Sequence, residues 1–255
     1  MYEFYSSGFF GYGEPGNFKY FSFWHFLPLV LLLIAIILTY KYQNFFRQWK
    51  YEERFRYILA FVMLIVEMSY FWRLLYVGDE TGQNSLLIKL PLQLCQWGLI
   101  SAVFMVMSKN QKLFNFCFYV SLIFGSAACL TPTVILKTGP AYYRYYQFFL
   151  EHELPIYSVF YMSFVHRLKP SYKSMYYVIA VLICFAFLCV YVNNHVDGAN
   201  FMYLAGYKEG AVAGDNLINH LPKGQYTRML FLTGITLVLF NIHYYLWSIT
   251  VMKKM

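Results

Sequence analysis

The segment WHFLPLVLLLIAIILTYK, residues 24–41, decides the fold class, because it contains no acidic residue, lysine or arginine before Lys41. A helix rises 1.5 Å per residue and the hydrocarbon core of a bilayer is about 30 Å thick, so about 20 mostly apolar residues cross it. We therefore predict a transmembrane helix here.

The composition of the whole chain agrees with this interpretation. Apolar residues make up 60% of the 255 residues and charged residues 13%, whereas soluble domains carry about 25% charged residues. Tyr and Phe number 26 each, and aromatic side chains of this kind suit the headgroup level of a membrane. The formal net charge of +8 is spread over short clusters between apolar runs, so we predict no nucleic-acid partner.

Six further apolar segments follow the first. We predict an all-α membrane protein of about seven transmembrane helices, forming one polytopic domain over residues 1–255. The predicted spans are residues 24–41, 56–77, 88–107, 113–136, 142–166, 173–193 and 228–250.

The distribution of basic residues gives the expected direction. With the N-terminus outside and the C-terminus in the cytoplasm, every cytoplasmic loop is more basic than its external neighbours, as the positive-inside rule requires. If the polar segment 142–166 did not span, Lys253 and Lys254 would lie outside, so seven spans fit better. The long connection 194–226 is then external, and we expect it to cover the outer face.

Ionisable side chains inside spans are costly and mark candidate sites. In the fifth span, Glu151, His152 and Glu153 precede Pro155, and His152 lies about 15 Å below the outer end. An imidazole beside carboxylates is a candidate general base. A structural polar contact between helices is the alternative.

Other polar residues fall in the same outer half. Glu67 lies similarly deep in the second span, where it could pair with His152 or Arg73. The third span is expected to begin near Leu90-Pro91, which would put Gln93 and Gln96 on one helix face.

Two more groups complete the expected site. Cys95 is a candidate nucleophile if a base lies near it. His25 and Asn194 fall at the outer edge of the membrane, and position alone makes His25 an interfacial residue. The five cysteines form no CxxC pair, and we predict no metal and no cofactor.

Several short motifs resemble one known family. Leu90-Pro91-Leu92-Gln93-Leu94-Cys95 is similar to the LPLHLC signature of the YwaF-like bacterial integral membrane proteins. Leu130-Thr131-Pro132, Phe148-Phe149 before His152, and Asn194 follow in the family's order. Asn200-Phe201-Met202-Tyr203-Leu204 resembles the family segment just outside the sixth helix.

This resemblance implies a function. The bacterial family is distantly related to the eukaryotic transmembrane protein 164, described as an acyltransferase acting on lysophospholipids through a cysteine and a histidine. It implies His152 as the base, Cys95 as the nucleophile, and Asn200 and Tyr203 as supporting residues. It also implies a bacterial plasma membrane and lipids as partners, while no protein partner is indicated.

Three functions stay open at this point. The first is a lipid-modifying enzyme, in which Gln93, Gln96 and Asn194 would hydrogen-bond the oxyanion. The second is a transporter or ligand-binding protein that uses Glu67, Glu151 and His152. The third is a non-catalytic accessory protein, because Gln93 replaces the family's histidine.

Overall fold

The computed structural model describes residues 8–11, 18–77, 90–132, 135, 138–205 and 221–254, and these residues form helices and connecting turns without a strand. The chain divides into two compact units. The first comprises residues 1–84, 95–170 and 255, and the second comprises residues 85–94 and 171–254. The assignment of residues 1–255 to one domain stays a prediction.

The helices of the first unit fall close to the first five predicted segments. They are α1 (Phe23–Lys41), the short α2 (Gln43–Gln48), α3 (Glu52–Val77), α4 (Leu94–Ser108), α5 (Gln111–Leu130) and α6 (Tyr143–His166). The second unit adds α7 (Tyr172–His195), a 3₁₀ turn (Phe201–Tyr203), α8 (Gln225–Thr250) and a final 3₁₀ turn (Met252–Lys254).

Five of the described helices are long and apolar enough to cross a membrane: α1, α3 over Glu52–Leu75, α5, α7 and α8. The helix α4 is apolar but has only 15 residues. The helix α6 has 24 residues, and they include one arginine, two glutamates and two histidines: Arg144, Glu151, His152, Glu153 and His166. An all-helical membrane fold is confirmed, whereas seven crossings and their direction stay predictions.

Helix α6 is the centre of the first unit. It packs against α1, α3 and α5, and most of its residues are buried, including the ionisable ones at positions 151–153. By contrast, only 11% of the most apolar 18-residue stretch of α1 is buried within the protein. The rest of the described structure therefore leaves most of α1 uncovered, while it encloses most of α6.

The C-terminal end of α6 is fixed by a partly buried polar network. Glu52 at the start of α3 accepts hydrogen bonds from Tyr161 (3.0 Å) and His166 (2.7 Å) of α6. Arg56 pairs with Glu52 at 3.0 Å and donates to the carbonyl of Val106 in α4 at 2.6 Å. This network joins α3, α4 and α6 at the end opposite to His152.

The boundaries of two helices differ from the prediction. Helix α4 begins at Leu94, not near residue 88, so Pro91 and Gln93 precede it. The expectation that Gln93 and Gln96 share one helix face was therefore wrong, because Pro91 and its neighbours adopt a non-helical segment before the first turn. Helix α5 ends at Leu130, and the hydroxyl of Thr131 then donates to the carbonyl of Ala127 at 2.8 Å.

The second unit is held by polar contacts near the ends of α7 and α8. Asn193 bonds both the backbone N–H (2.8 Å) and the carbonyl (3.0 Å) of Phe201. Arg228 is buried and donates to the carbonyls of Tyr203 (2.7 Å) and Pro222 (2.8 Å). These contacts hold both ends of the connection predicted over 194–226. Its residues 206–220, with Asp215 and His220, lie outside the described residues.

Candidate functional site

The polar face of α6 builds the site. Arg144, Gln147 and Glu151 are spaced three and four apart, so they share one face of the helix. Both Gln147 (2.9 Å) and Arg144 (3.3 Å) donate to the same oxygen, Oε2 of Glu151. Arg144 also donates to Gln147, and its guanidinium lies 4.5 Å from the centre of the Tyr70 ring. A buried carboxylate is therefore paired and hydrogen-bonded, as its burial requires.

Cys95 meets this face from the first turn of α4. The Cys95 sulfur, a carboxylate oxygen of Glu151 and a ring nitrogen of His152 all lie within 4.8 Å of one another. Glu151 and His152 are each 5% exposed, and Cys95 is half-buried. The two predicted catalytic residues are therefore neighbours, although 57 positions separate them along the chain.

The orientation of His152 follows from one hydrogen bond. Its Nδ1 donates to the carbonyl of Phe148 at 2.7 Å, which fixes the tautomer and leaves the lone pair on Nε2. The Phe148 ring lies 4.5 Å from the imidazole, centre to centre, and restricts its rotation. The imidazole is thus set as a proton acceptor or as a ligand.

Glu67 enters the site from α3. Its Oε1 accepts a hydrogen bond from the Gln96 side chain at 2.9 Å, a partner that was not among those expected for it. Arg73, one of the expected partners, donates to the carbonyls of Phe10 and Gly11. In the described structure, Oε2 of Glu67 is buried and has no hydrogen-bond partner.

Two glycines allow the helices around the site to approach closely. A Cβ at Gly98 in α4 would lie 2.9 Å from the hydroxyl of Ser121, and one at Gly125 would lie 3.4 Å from the carbonyl of His152. Residues Ser121–Gly125 form a π turn within α5. Such turns often occur at functional sites, and this one brings α5 against the backbone of His152.

His25 has a structural place in the first unit. The N–H of Phe21 donates to its Nδ1 at 3.1 Å, and its Nε2 donates to the carbonyl of Cys129 at 2.9 Å. The side chain is 1% exposed, so protein encloses it, while its expected place at the membrane interface stays a prediction. Because both ring nitrogens are engaged, His25 joins α1 to α5 and has no free lone pair for catalysis.

Four of the predicted supporting residues belong to the second unit. Asn194 accepts a hydrogen bond from Gln225 at 2.8 Å, and Asn200 accepts one from the N–H of Ala205 at 3.1 Å. The carbonyl of Tyr203 binds Arg228, as described above. Gln93 lies in the segment that precedes α4. The described contacts of these residues stabilise the unit itself, and their supporting role stays a prediction.

Arg144 is the site residue that sequence reasoning missed. Its position at the start of the fifth predicted span makes it resemble an ordinary charged residue at a helix end. The spacing of Arg144, Gln147 and Glu151 could have revealed it. These polar residues are three and four positions apart, so they lie on one face of the helix, as the apolar residues of an amphipathic helix do. A polar face inside a predicted span must meet polar partners from other helices.

The fold and the site together define a class of protein: a multi-pass helical membrane protein with a buried polar cluster of cysteine, histidine and carboxylates. Residues 20–247 match the TMEM164 family, and the chain belongs to that family. No significant match is found among the curated proteins or the solved structures.

The ion pair between Arg144 and Glu151 predicts strong energetic coupling. In the variants Arg144→Gln, Glu151→Gln and the double variant, we expect Arg144→Gln to lose about 3–5 kcal/mol of unfolding free energy, because it leaves a buried carboxylate unpaired. The double variant should lose less than the sum of the single losses, by about 0.5–3 kcal/mol. Unfolding of the detergent-solubilised protein by increasing mole fraction of SDS measures these differences.

Arg54→Gln is the matched control, because Arg54 is exposed on α3, and it should change the unfolding free energy by less than about 0.5 kcal/mol. Additive losses in the double variant would show that Arg144 and Glu151 do not stabilise each other.

Proposed function

We propose that the protein transfers an acyl chain between phospholipids, or releases it to water, through Cys95 as nucleophile and His152 as base. The observation that carries the proposal is a short distance: the Cys95 sulfur and a ring nitrogen of His152 lie within 4.8 Å of one another. Membership of the TMEM164 family supports the proposal. The resemblance noted in the sequence adds the lipid setting, because the eukaryotic relative is described as a lipid acyltransferase.

The first half of the proposed reaction forms a thioester. His152 Nε2 accepts the thiol proton, and the Cys95 thiolate attacks the carbonyl carbon of a phospholipid ester. When the tetrahedral intermediate breaks down, the bond between carbon and the glycerol oxygen breaks, and His152 returns the proton to that oxygen. The products of this half are a lysophospholipid and an acylated Cys95.

The second half regenerates the thiol. The hydroxyl of an acceptor lysophospholipid, or water, gives its proton to His152 and attacks the thioester carbonyl. The bond between carbon and sulfur breaks, and the thiolate receives the proton from His152. Because this half reverses the chemistry of the first, the same two residues serve both.

The start of α4 supports the negative charge in both halves. Backbone N–H groups in the first turn of a helix have no intrahelical partner and favour anions. Cys95 is the second residue of α4, so its side chain belongs to that first turn.

The proposal predicts the effect of single substitutions on lipid turnover. Full-length protein is reconstituted in vesicles that contain a phospholipid with an isotope-labelled acyl chain and an unlabelled lysophospholipid. Mass spectrometry then follows the labelled chain. Cys95→Ser and His152→Gln should each lower the rate by about 10²–10⁴-fold, the usual contribution of a catalytic base.

The chain offers matched controls for both variants. Cys184 is an exposed cysteine, and His195 is an exposed histidine whose Nδ1 also bonds the carbonyl four residues earlier, at 2.8 Å from Tyr191. Cys184→Ser and His195→Gln should retain the wild-type rate. Equal turnover by wild type and by folded Cys95→Ser or His152→Gln would exclude the assigned mechanism.

We also propose seven membrane crossings, with the N-terminus outside and the C-terminus in the cytoplasm of a bacterium, as in a YwaF-like protein. His152 lies nine residues from the start of α6, which corresponds to about 13 Å of helix. This direction places the site in the outer half of the plasma membrane, where the acyl chain of a substrate stays in hydrocarbon.

Fusions of a periplasmic reporter, alkaline phosphatase, after Lys50, after Arg167 and at the C-terminus test this topology in a bacterial host. All three should be inactive, because the proposed topology keeps those positions in the cytoplasm. A fluorescent protein fused at the same positions should fluoresce. Phosphatase activity both after Arg167 and at the C-terminus, with none after Lys50, would indicate six crossings in which segment 142–166 does not span.

A further inference from the structure

Beyond acyl transfer, the same buried cluster has the composition of a metal site. We propose that Cys95, Glu151 and His152 form a three-ligand binding site for Zn²⁺, with a fourth position open to water. Their ligand atoms lie within 4.8 Å of one another, and zinc binds thiolate, imidazole and carboxylate groups. The proposal does not depend on acyl transfer, because binding requires no reaction of the sulfur.

The separations fit zinc after a small adjustment. Tetrahedral zinc with bonds of 2.0–2.3 Å places its ligand atoms about 3.3–3.8 Å apart. The observed limit of 4.8 Å therefore requires the three side chains to close by about 1 Å, which small side-chain rotations can supply. Cys95 comes from α4, whereas Glu151 and His152 are adjacent on α6, so the site joins two helices.

Metal ligands are usually oriented by a hydrogen bond to a neighbouring protein group, and both ligands on α6 already have one. The bond from His152 Nδ1 to the Phe148 carbonyl presents the Nε2 lone pair. Gln147 and Arg144 both bond Oε2 of Glu151, so among the described contacts its Oε1 is left for an ion. Both side chains are thus oriented before any ion binds.

The charge of the cluster also favours a cation. Glu67 and Glu151 are both buried, and Arg144 is the basic residue that pairs with Glu151 in the described structure. Oε2 of Glu67 is buried without a hydrogen-bond partner, and Glu67 binds Gln96, the residue next to Cys95. A dication bound by the thiolate and Glu151 would balance the negative charge of the cluster in a medium where isolated charges are costly.

Binding of zinc and acyl transfer exclude each other at this site. An imidazole whose lone pair binds zinc cannot accept the proton of the thiol, so the zinc-bound protein lacks its base. Zinc would then hold the site in an inactive state, and removal of zinc would restore the free thiol and imidazole.

Metal titration of the purified full-length protein tests the inference without an activity assay. The protein is stripped with a chelator and titrated with Zn²⁺ against a chromophoric competitor. Cd²⁺ is added in a separate titration, because cadmium bound to a thiolate gives an ultraviolet charge-transfer band. We expect one Zn²⁺ per chain and a cadmium band in wild type, Cys184→Ser and His195→Gln.

Cys95→Ser should abolish the cadmium band, and His152→Gln should weaken zinc binding by at least about 100-fold, since changes to outer partners alone cost 10–100-fold. Circular dichroism verifies that each variant is folded. Absence of zinc binding by wild type, or equal binding by wild type and Cys95→Ser, would overturn the inference. Either result leaves the acyl-transfer proposal standing, because the lipid turnover assay measures that proposal separately in zinc-free protein.

Discussion

The burial of two carboxylates, Glu67 and Glu151, within a membrane-spanning unit is the constraint on which the rest of the structure depends. An ionised carboxylate in hydrocarbon is costly unless it is paired and hydrogen-bonded. Arg144 and Gln147 satisfy Glu151 within α6, while Gln96 reaches Glu67 from α4. These pairings require α3, α4 and α6 to meet at one level, and the site is the place where they meet.

The contacts between α3, α4 and α6 also determine the positions of Cys95 and His152. Once Gln96 is held by Glu67, the preceding residue Cys95 is held beside His152 at the start of α4. The backbone of His152 is in turn fixed by the close approach of Gly125 in the π turn. Acyl transfer and zinc binding are the two uses proposed for Cys95 and His152, and both use the same arrangement of side chains. In acyl transfer the His152 ring nitrogen accepts a proton, whereas in zinc binding it binds the metal.

Much of this arrangement could be predicted from the sequence, for a physical reason. A span needs a long apolar run, so the helices over residues 24–41 and 173–193 were evident, and the cost of burying Glu67, Glu151 and His152 marked them as site candidates. The bundle as an all-helical membrane fold is confirmed, and the family is shown over residues 20–247.

Other features depend on contacts that the sequence does not reveal. The start of α4 at Leu94 was missed because the apolar composition of Leu90–Leu92 does not distinguish a helix from an extended approach to it. Arg144 was missed because a charge near a helix end is common at a membrane surface. The contacts of His25 could not be predicted, because only the fold shows the carbonyl of Cys129 beside its Nε2.

The account rests on the claim that Cys95 carries the acyl chain, and the covalent state of its sulfur tests that claim most directly. Zinc-free, full-length protein is incubated with a phospholipid of known acyl chain, quenched in acid and digested for mass spectrometry. The account predicts that the peptide containing Cys95 gains the mass of that chain and loses it in hydroxylamine, while the peptide containing Cys184 stays unmodified. Turnover of the phospholipid by protein in which Cys95 is never acylated would contradict it.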